Sequence, residues 1–229
     1  MVIFNARVAG RSSGIKRGMN AMMGARERGK AERRQRIKEA ALALFLERGY
    51  DETTTREIAQ RAGIAQGTLF LYVSDKRDLL LMVMNDDLDV LTATSFASVN
   101  PEDALLDQLI HVFKPRLEYW ASHPELSRFA LSETTDSRQK DRSSVEAARH
   151  SFRRGTIFSN VAKLVRSCQE RGLARTDEDP TQMAWVIMCL YIAMVRMWIA
   201  ASEPQVAAGL AELRTGMRLA IKGLANPIP

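Results

Sequence analysis

Apolar residues recur at helical spacing along most of the chain. From about Ala31, the apolar positions between Ile37 and Phe45 follow the i, i+3, i+4, i+7 spacing of one helical face. Gly49 stands where a glycine commonly ends a helix. No later segment alternates apolar and polar residues as a half-buried strand would. The pattern therefore predicts an all-α fold of about nine helices.

Capping residues, prolines and glycines suggest where the other helices begin and end. Thr54 followed three residues later by Glu57 is a capping-box pattern. Pro101 and Pro204 are both predicted to open helices. The predicted helices run over about 54–62, 65–72, from 75–76 onward, 101–123, 124–133, 144–171, 180–201 and 204–224, with a polar loop at 134–142.

The stretch from Thr54 to Lys76 has the spacing of a helix-turn-helix. Ala59 is small enough for a second helix to cross the first, and Gly63 follows four residues later for the turn. Ile58, Ile64 and Leu69 are predicted to be the apolar residues that pack at the junction of the two helices. Gln66 and Thr68 then put short polar side chains at the start of the second helix, where a DNA-reading helix presents them to base edges. Each feature is common in helical hairpins, but together they favour DNA binding.

The charge is distributed unevenly. Residues 1–76 hold 15 Lys and Arg against 8 Asp and Glu, a net charge of +7, whereas the remaining residues hold 18 against 19, a net charge of −1. This asymmetry indicates either a surface that meets a polyanion or a basic solvated surface, and charge alone does not choose between them. The helix-turn-helix pattern in the same region favours nucleic acid.

This region resembles the DNA-binding domain of TetR-type regulators. The resemblance begins at Ile37, in the helix that ends at Gly49-Tyr50, and continues through TTREIAQRAGIAQGTLF to SDKRDLL. It covers about residues 33–82, and beyond them it extends only to a helical body of the usual length. It implies a three-helix head that binds DNA and a larger body for effector binding and dimerisation. We divide the chain into a disordered basic tail at 1–29, a head at 30–76 and a body at 77–229.

The resemblance also implies roles for individual residues. Gln66 is the main candidate for reading a base, because its amide can pair bidentately with adenine. Gly67 allows close approach to DNA, and Arg56 reaches phosphate or a base. The full set of predicted DNA contacts is Arg33, Thr54, Thr55, Arg56, Gln66, Gly67, Thr68, Tyr72 and Lys76. The chain departs from the family pattern at Ala65, Phe70 and Val73, and Phe70 lacks the hydroxyl with which a tyrosine would bind phosphate.

In the body, aromatic and methionine side chains are candidates for an effector pocket. They are Phe113, Trp120, Phe129, Trp185, Met188 and Tyr191. A pocket of this composition would favour an apolar or aromatic ligand. The alternative, equally open for each residue, is that they form the ordinary core.

The last two helices are the predicted dimer surface. The segment Met183–Ala201 is apolar on more faces than one core needs, so a second subunit or a larger internal core must cover it. A homodimer would match a palindromic operator on double-stranded DNA. The predicted function is a DNA-binding regulator, most simply a repressor released by its effector. The alternative is an architectural DNA-binding factor without an effector.

Other kinds of protein have little support in the sequence. The three histidines lack metal-ligand spacing, and no phosphate loop or hydrolase motif is present, so we expect no enzyme, metal or cofactor. The acidic residues Asp86, Asp87 and Asp89 are expected to form a solvated face. Met183–Val195 is shorter than a membrane span, which predicts a cytoplasmic protein without a membrane partner. Cys168 and Cys189 are expected to be reduced thiols, although the spacing leaves a disulfide open.

Overall fold

The computed structural model describes residues 24–133 and 144–223, and every regular element in them is an α-helix. The chain divides into two compact units, Met1–Val83 and Met84–Pro229. The helices are α1 (Ala25–Arg48), α2 (Thr55–Arg61), α3 (Gln66–Leu69), α4 (Lys76–Ala97), α5 (Leu105–Ser122), α6 (Pro124–Glu133), α7 (Val145–Glu170), α8 (Pro180–Ile199) and α9 (Val206–Lys222). The all-α prediction is confirmed. The division falls after Val83, within α4, rather than at residue 76.

The first unit is built on the apolar face of α1. Ile37 and Ala41 are fully buried on this face, and Ile58 of α2 and Leu69 of α3 are also fully buried. At the end of α1, Thr53 donates its hydroxyl hydrogen bond toward the carbonyls of Leu44 and Gly49. This anchors the chain between α1 and α2.

α1 begins earlier than the sequence pattern predicts. The helix starts at Ala25, so the prediction of a tail without structure is wrong for residues 25–29. Basic residues and one internal glycine weaken a helix without breaking it, and Glu27 in the first turn interacts favourably with the helix dipole. Residues 1–23 of the predicted tail lie outside the described residues, as does the predicted loop at 134–142.

The second unit is a helical body in which α8 is central. α8 packs against α7, α9 and α6, while α9 also packs along α5. Ile187, Tyr191, Val195 and Trp198 lie on the buried face of α8. Asp179 caps its first turn by accepting hydrogen bonds from the backbone N–H groups of residues 181 and 182. The predicted start of this helix at Asp179-Pro180 is confirmed.

Two helix starts predicted from proline are wrong. After Pro101 the chain makes a tight turn, in which the Asn100 side chain accepts from the backbone N–H of Glu102 and donates to Asp103. This turn takes up the residues that would have formed the first helical turn, and α5 begins only at Leu105. In the same way α9 begins at Val206, beyond the buried Pro204.

α8 is 20 residues long, so the expectation that this apolar segment is too short to span a membrane is wrong. By length and composition it could cross a bilayer, with 33% of its most apolar window buried inside the chain. A core helix of a globular protein has the same length and composition, and α8 packs on four neighbouring helices, α5, α6, α7 and α9. Arg196, in its last turn, is exposed.

Two helical glycines provide a matched test of the packing between α8 and α9. A Cβ atom on Gly209 would lie 2.6 Å from Nε1 of the buried Trp198, whereas nothing lies within 4 Å of a Cβ on Gly155. We expect Gly209→Ala to lower the free energy of unfolding by about 1–3 kcal/mol through overpacking. Gly155→Ala should raise it by up to about 1 kcal/mol through helix propensity. Urea unfolding followed by circular dichroism measures both, and equal effects would contradict the described packing.

Candidate nucleic-acid interface and effector cavity

α2 begins with a complete capping box. Glu57 donates its backbone N–H to the Thr54 hydroxyl at 3.2 Å, and the Glu57 carboxylate accepts from the Thr54 backbone N–H at 2.9 Å. These bonds lower the pKa of Glu57, the backbone bond from Thr54 having the largest effect. The capping box predicted from the sequence is confirmed, and it leaves the Thr54 side chain occupied at the helix terminus.

The turn between α2 and α3 depends on Gly63. Its φ angle is +67°, in the left-handed region that glycine adopts without strain. Ala59 is buried beneath the turn, and its carbonyl accepts the backbone N–H of Ile64 at 3.0 Å. Ile58 and Leu69 are fully buried at the junction, while Ile64 is half-buried. The predicted helix-turn-helix geometry is therefore present.

α3 is shorter than predicted, because its regular turns cover only Gln66–Leu69 and the chain then continues in turns to Val73. Gln66 and Gly67 are exposed at its N-terminus, and Thr68 is half-buried. The Gln66 amide donates to the Thr55 hydroxyl of α2 at 3.4 Å. The structure thus brings the two helix starts together, with the predicted base-reading amide between them.

The arginines of α1 and α2 differ in how they are held. Arg48 pairs with Glu57 at 2.6 Å, and Arg61 pairs with Glu47 at 2.5 Å. These pairs tie α1 to α2. Arg56, next in sequence to Thr55, lies in the first turn of α2 and is exposed. Among the described arginines of α2, it is therefore the one available for a phosphate or a base.

Three further residues that are predicted to contact DNA form hydrogen bonds within the protein. The Arg33 guanidinium donates to the Tyr72 hydroxyl at 3.1 Å, so these two residues form one pair on the surface. The Lys76 ammonium donates to the carbonyls of Tyr50 and Asp51 at 2.9 and 3.0 Å and lies 4.5 Å from the centre of the Tyr50 ring. Lys76 thus holds the end of α1 to the start of α4.

Comparison with known proteins agrees with this geometry. The family model described as bacterial regulatory proteins, tetR family, matches residues 37–83. An HTH-type transcriptional regulator of Staphylococcus aureus (strain USA300) is 44% identical over 59 residues, which are 26% of this chain and 32% of that protein. This chain therefore contains a TetR-family DNA-binding domain at residues 37–83. It spans about a third of the length of the curated relatives it matches.

Solved structures of TetR-type proteins match nearly the whole fold. Thermus thermophilus FadR, a TetR-family repressor in complex with lauroyl-CoA, is 25% identical with a TM-score of 0.65, over 86% of this chain and 98% of that one. Bacillus subtilis FadR in complex with stearoyl-CoA is 17% identical with a TM-score of 0.63, over 83% and 99%. The second likeness shows the fold alone.

The helical body contains a cavity of about 440 Å³ between the second half of α4 and the first half of α7. Its wall combines two phenylalanines with hydroxyl, amide and charged groups. Phe152 is 78% exposed at the opening, and Phe96 is half-buried. The lining residues are Asp89, Thr92, Ala93, Phe96, Arg149, Phe152, Arg153, Thr156 and Asn160.

An ion-pair cluster holds α4 to α7 at one end of this cavity. Arg149 pairs with Asp86 at 2.9 Å and with Asp89 at 2.7 Å, and Arg153 pairs with Asp89 at 2.7 Å. Asn85, fully buried, donates to Glu146 at 2.7 Å. The expectation of a solvated acidic face is wrong for Asp86 and Asp89, because α7 places two arginines against them.

The six predicted pocket residues are not brought together in this cavity. Phe113 and Tyr191 are buried and stacked with ring centroids 4.1 Å apart, and Trp120 is buried nearby on α5. Trp185 is 60% exposed and packs edge-on to Phe158. The two other candidates, Phe129 and Met188, are half-buried. Their role in ligand binding stays a prediction.

Sequence reasoning missed the cavity because its wall comes from polar positions as much as apolar ones. Arg149 and Arg153 are one helical turn apart and could have been recognised as partners for the acidic residues of α4. Their pairing needs the contact between α4 and α7, which no local pattern reveals. Both cysteines are free thiols, and Cys168 is buried as expected, whereas Cys189 is exposed. Among the described residues, no group of three or more His, Cys, Asp or Glu side chains is placed to hold a metal.

The internal bonds of Lys76 lead to a prediction about stability. Lys76→Met keeps the aliphatic stem but removes two charge-assisted hydrogen bonds, so the first unit should lose about 1–3 kcal/mol of stability. Lys30→Met, at an exposed position on α1, is the control and should leave stability unchanged. Thermal unfolding by circular dichroism measures both. A Lys76→Met protein with unchanged stability and weakened DNA binding would instead assign Lys76 to phosphate contact alone.

Proposed function

We propose that this chain is a homodimeric transcriptional regulator of the TetR family that binds a palindromic operator and is released from it by an effector in the helical body. The observation that carries this proposal is the pair of helix starts in the first unit, where Gln66 and Gly67 are exposed beside Thr55 and Arg56. Such a regulator works where the DNA is, in the cytoplasm.

DNA recognition follows from the chemistry of the exposed groups. The Gln66 amide can donate to and accept from one adenine in the major groove, at the price of a weak 3.4 Å bond to Thr55. Gly67 has nothing within 4 Å of a Cβ position, so the backbone can approach DNA closely. Arg56, with Thr54 and Thr55 at the start of α2, is placed to contact phosphate and set the register. Thr68 supports Gln66 as a second polar group on α3.

The exposed face of α8 supports dimerisation. Val186, Cys189, Ala193 and Met197 are exposed and follow each other at spacings of three or four residues along one face. Val186 is 55% exposed and Met197 is 77% exposed. An apolar stripe of this length in water needs a cover, and a second copy packing α8 and α9 into a four-helix bundle would supply it.

The cavity supports an effector of apolar character. Its volume lies within the range of small-molecule sites, and its phenylalanines offer apolar surface. T. thermophilus FadR, which resembles this chain over nearly its whole length, was solved with lauroyl-CoA. We propose that this chain also takes a ligand with an apolar chain or ring.

α4 is the element through which such a ligand would act. It supplies Lys76–Val83 to the first unit and Met84–Ala97 to the second, and four of the cavity residues lie on it. A ligand that prefers one position of this helix shifts the population of the two forms of the dimer, and only one form spaces the two heads for the operator.

Selection of random duplex DNA by the purified protein tests recognition. We expect a two-fold palindrome, because each half-site would be read by one subunit. Gln66→Ala should relax one position in each half-site by about 1–3 kcal/mol, since the bidentate contact to one base is lost. Gln182→Ala, an exposed glutamine on α8, is the matched control and should leave the selected sequence unchanged.

The contradicting result is DNA binding that enriches no sequence and weakens steeply as the salt concentration rises. It would show a nonspecific polyanion-binding surface. The architectural factor would then replace the regulator as the function of this chain.

A charge on the apolar stripe tests the dimer. Met197→Glu places a carboxylate on the most exposed side chain of the proposed interface, so the sedimenting species should fall to the monomer mass. Val145→Glu is the control, because Val145 is comparably exposed, at 71%, but lies at the start of α7. Analytical ultracentrifugation measures both at equal concentration. A Met197→Glu protein that remains dimeric would place the interface elsewhere.

A further inference from the structure

One arginine in the body is buried without a carboxylate. The side chain of Arg116 in α5 is 3% exposed, and its guanidinium donates to the hydroxyls of Thr92 and Ser95 on α4. In the part of the chain that the structure describes, no acidic group pairs with it. Burial, together with the nearby positive charge of Arg153, lowers the pKa of Arg116. A buried cation held only by neutral hydroxyls is unfavourable and calls for an anion.

Two more hydrogen-bond donors lie beside this arginine. Trp120 is one turn further along α5, and Tyr191 faces α5 from α8, where its ring stacks on Phe113. The Trp120 Nε1 and the Tyr191 hydroxyl are both buried, and the Trp120 side chain hydrogen-bonds to Tyr191. Burial raises the pKa of Tyr191, and the charge of Arg116 opposes the rise. In this donor cluster, Arg116 with Trp120 and Tyr191, the Tyr191 hydroxyl keeps its own hydrogen to donate to an anion.

The donor cluster lies directly behind the wall of the cavity. Thr92 lines the cavity, and its hydroxyl is the group that accepts from Arg116. The Thr92 hydroxyl donates in turn to the carbonyl of Leu88 at 2.6 Å, so it has no free hydrogen for a ligand. An acceptor that enters the cavity can take over the bond from Arg116 when it displaces Thr92.

The carboxylates nearest to the cavity are already engaged. Asp89 accepts from both Arg149 and Arg153, and Asp86 and Glu146 pair with Arg149. The two arginines that line the cavity are neutralised by these carboxylates, so the positive charge available to an anion is that of Arg116 behind the wall. Phe96 and Phe152 provide an apolar surface in the same cavity.

We infer that Arg116, assisted by Trp120 and Tyr191, is the anion-binding end of the cavity, and that the ligand is an amphipathic acid whose carboxylate meets Arg116 and whose apolar chain lies along Phe96 and Phe152. This inference rests on the proposed effector-dependent function and names the chemical class of the effector.

Calorimetric titration of the full chain, without DNA, tests the inference. The probes are decanoate and decan-1-ol, which share one chain length and differ in charge, together with decanoyl-CoA, which has a thioester in place of the carboxylate. We expect decanoate to bind the protein more tightly than either other probe. Arg116→Met should weaken decanoate binding by about tenfold or more, since a charge-assisted hydrogen bond is lost, and leave decan-1-ol unaffected.

Matched variants separate binding from folding. Lys114→Met removes an exposed positive charge from α5, the helix that carries Arg116, and should leave decanoate affinity unchanged. Arg116→Lys keeps the charge without the planar fork and should lose less affinity than Arg116→Met, which provides a second reading if the methionine variant does not fold. Removal of an uncompensated buried charge should also raise the melting temperature of the ligand-free protein, whereas removal of a structural hydrogen-bonding group would lower it.

Three results would overturn the inference. They are equal binding of decan-1-ol and decanoate, undiminished decanoate binding by both Arg116 variants, and absence of decanoate binding. Because these measurements contain no DNA, a negative result leaves operator recognition standing. Conversely, failure of the DNA selection with intact, Arg116-dependent decanoate binding would remove the regulator and keep the acid-binding cavity.

Discussion

Packing against the buried face of α8 is the interaction on which the rest of the body depends. Ile187, Tyr191 and Val195 form one buried stripe of α8. α6, α7 and α9 pack around this helix. Because close packing leaves little room for change, Gly209 is required where α9 crosses Trp198. The opposite stripe of α8 is apolar and exposed, so the helix that organises the core of the chain also carries the surface on which we propose that a second copy packs.

The buried charges of the body specify which helices meet, whereas the apolar residues supply most of the packing. The α4–α7 contact contains arginines and carboxylates that neutralise one another, with Asp89 shared by Arg149 and Arg153. Such pairs contribute little net stability, since desolvation offsets much of their attraction, but they specify which helices meet. Among the described residues, no carboxylate neutralises Arg116. We therefore assign this arginine to ligand binding and not to the specification of helix contacts.

In the head, local rules and tertiary packing agree. The capping box at Thr54, the positive φ of Gly63 and the small side chain of Ala59 each support the same α2–α3 crossing. Lys76 shows how a locally plausible role can change: a lysine at the start of a helix suggests a phosphate contact, yet its ammonium is bound to the carbonyls of Tyr50 and Asp51. These carbonyls lie about 25 residues earlier in the chain, so the local sequence pattern around Lys76 does not reveal them.

The sequence by itself determined the helical class, the helix-turn-helix and most helix boundaries, because caps, glycine turns and apolar spacing act within a few residues along the chain. It misjudged the starts near Pro101 and Pro204, where a side-chain turn or a buried proline took the place of the first helical turn. Only the tertiary structure decided the cavity, the pairing of Arg149 with Asp86 and the isolation of Arg116. These depend on which helices pack together, and that is set by the sum of many weak contacts between residues far apart in the chain.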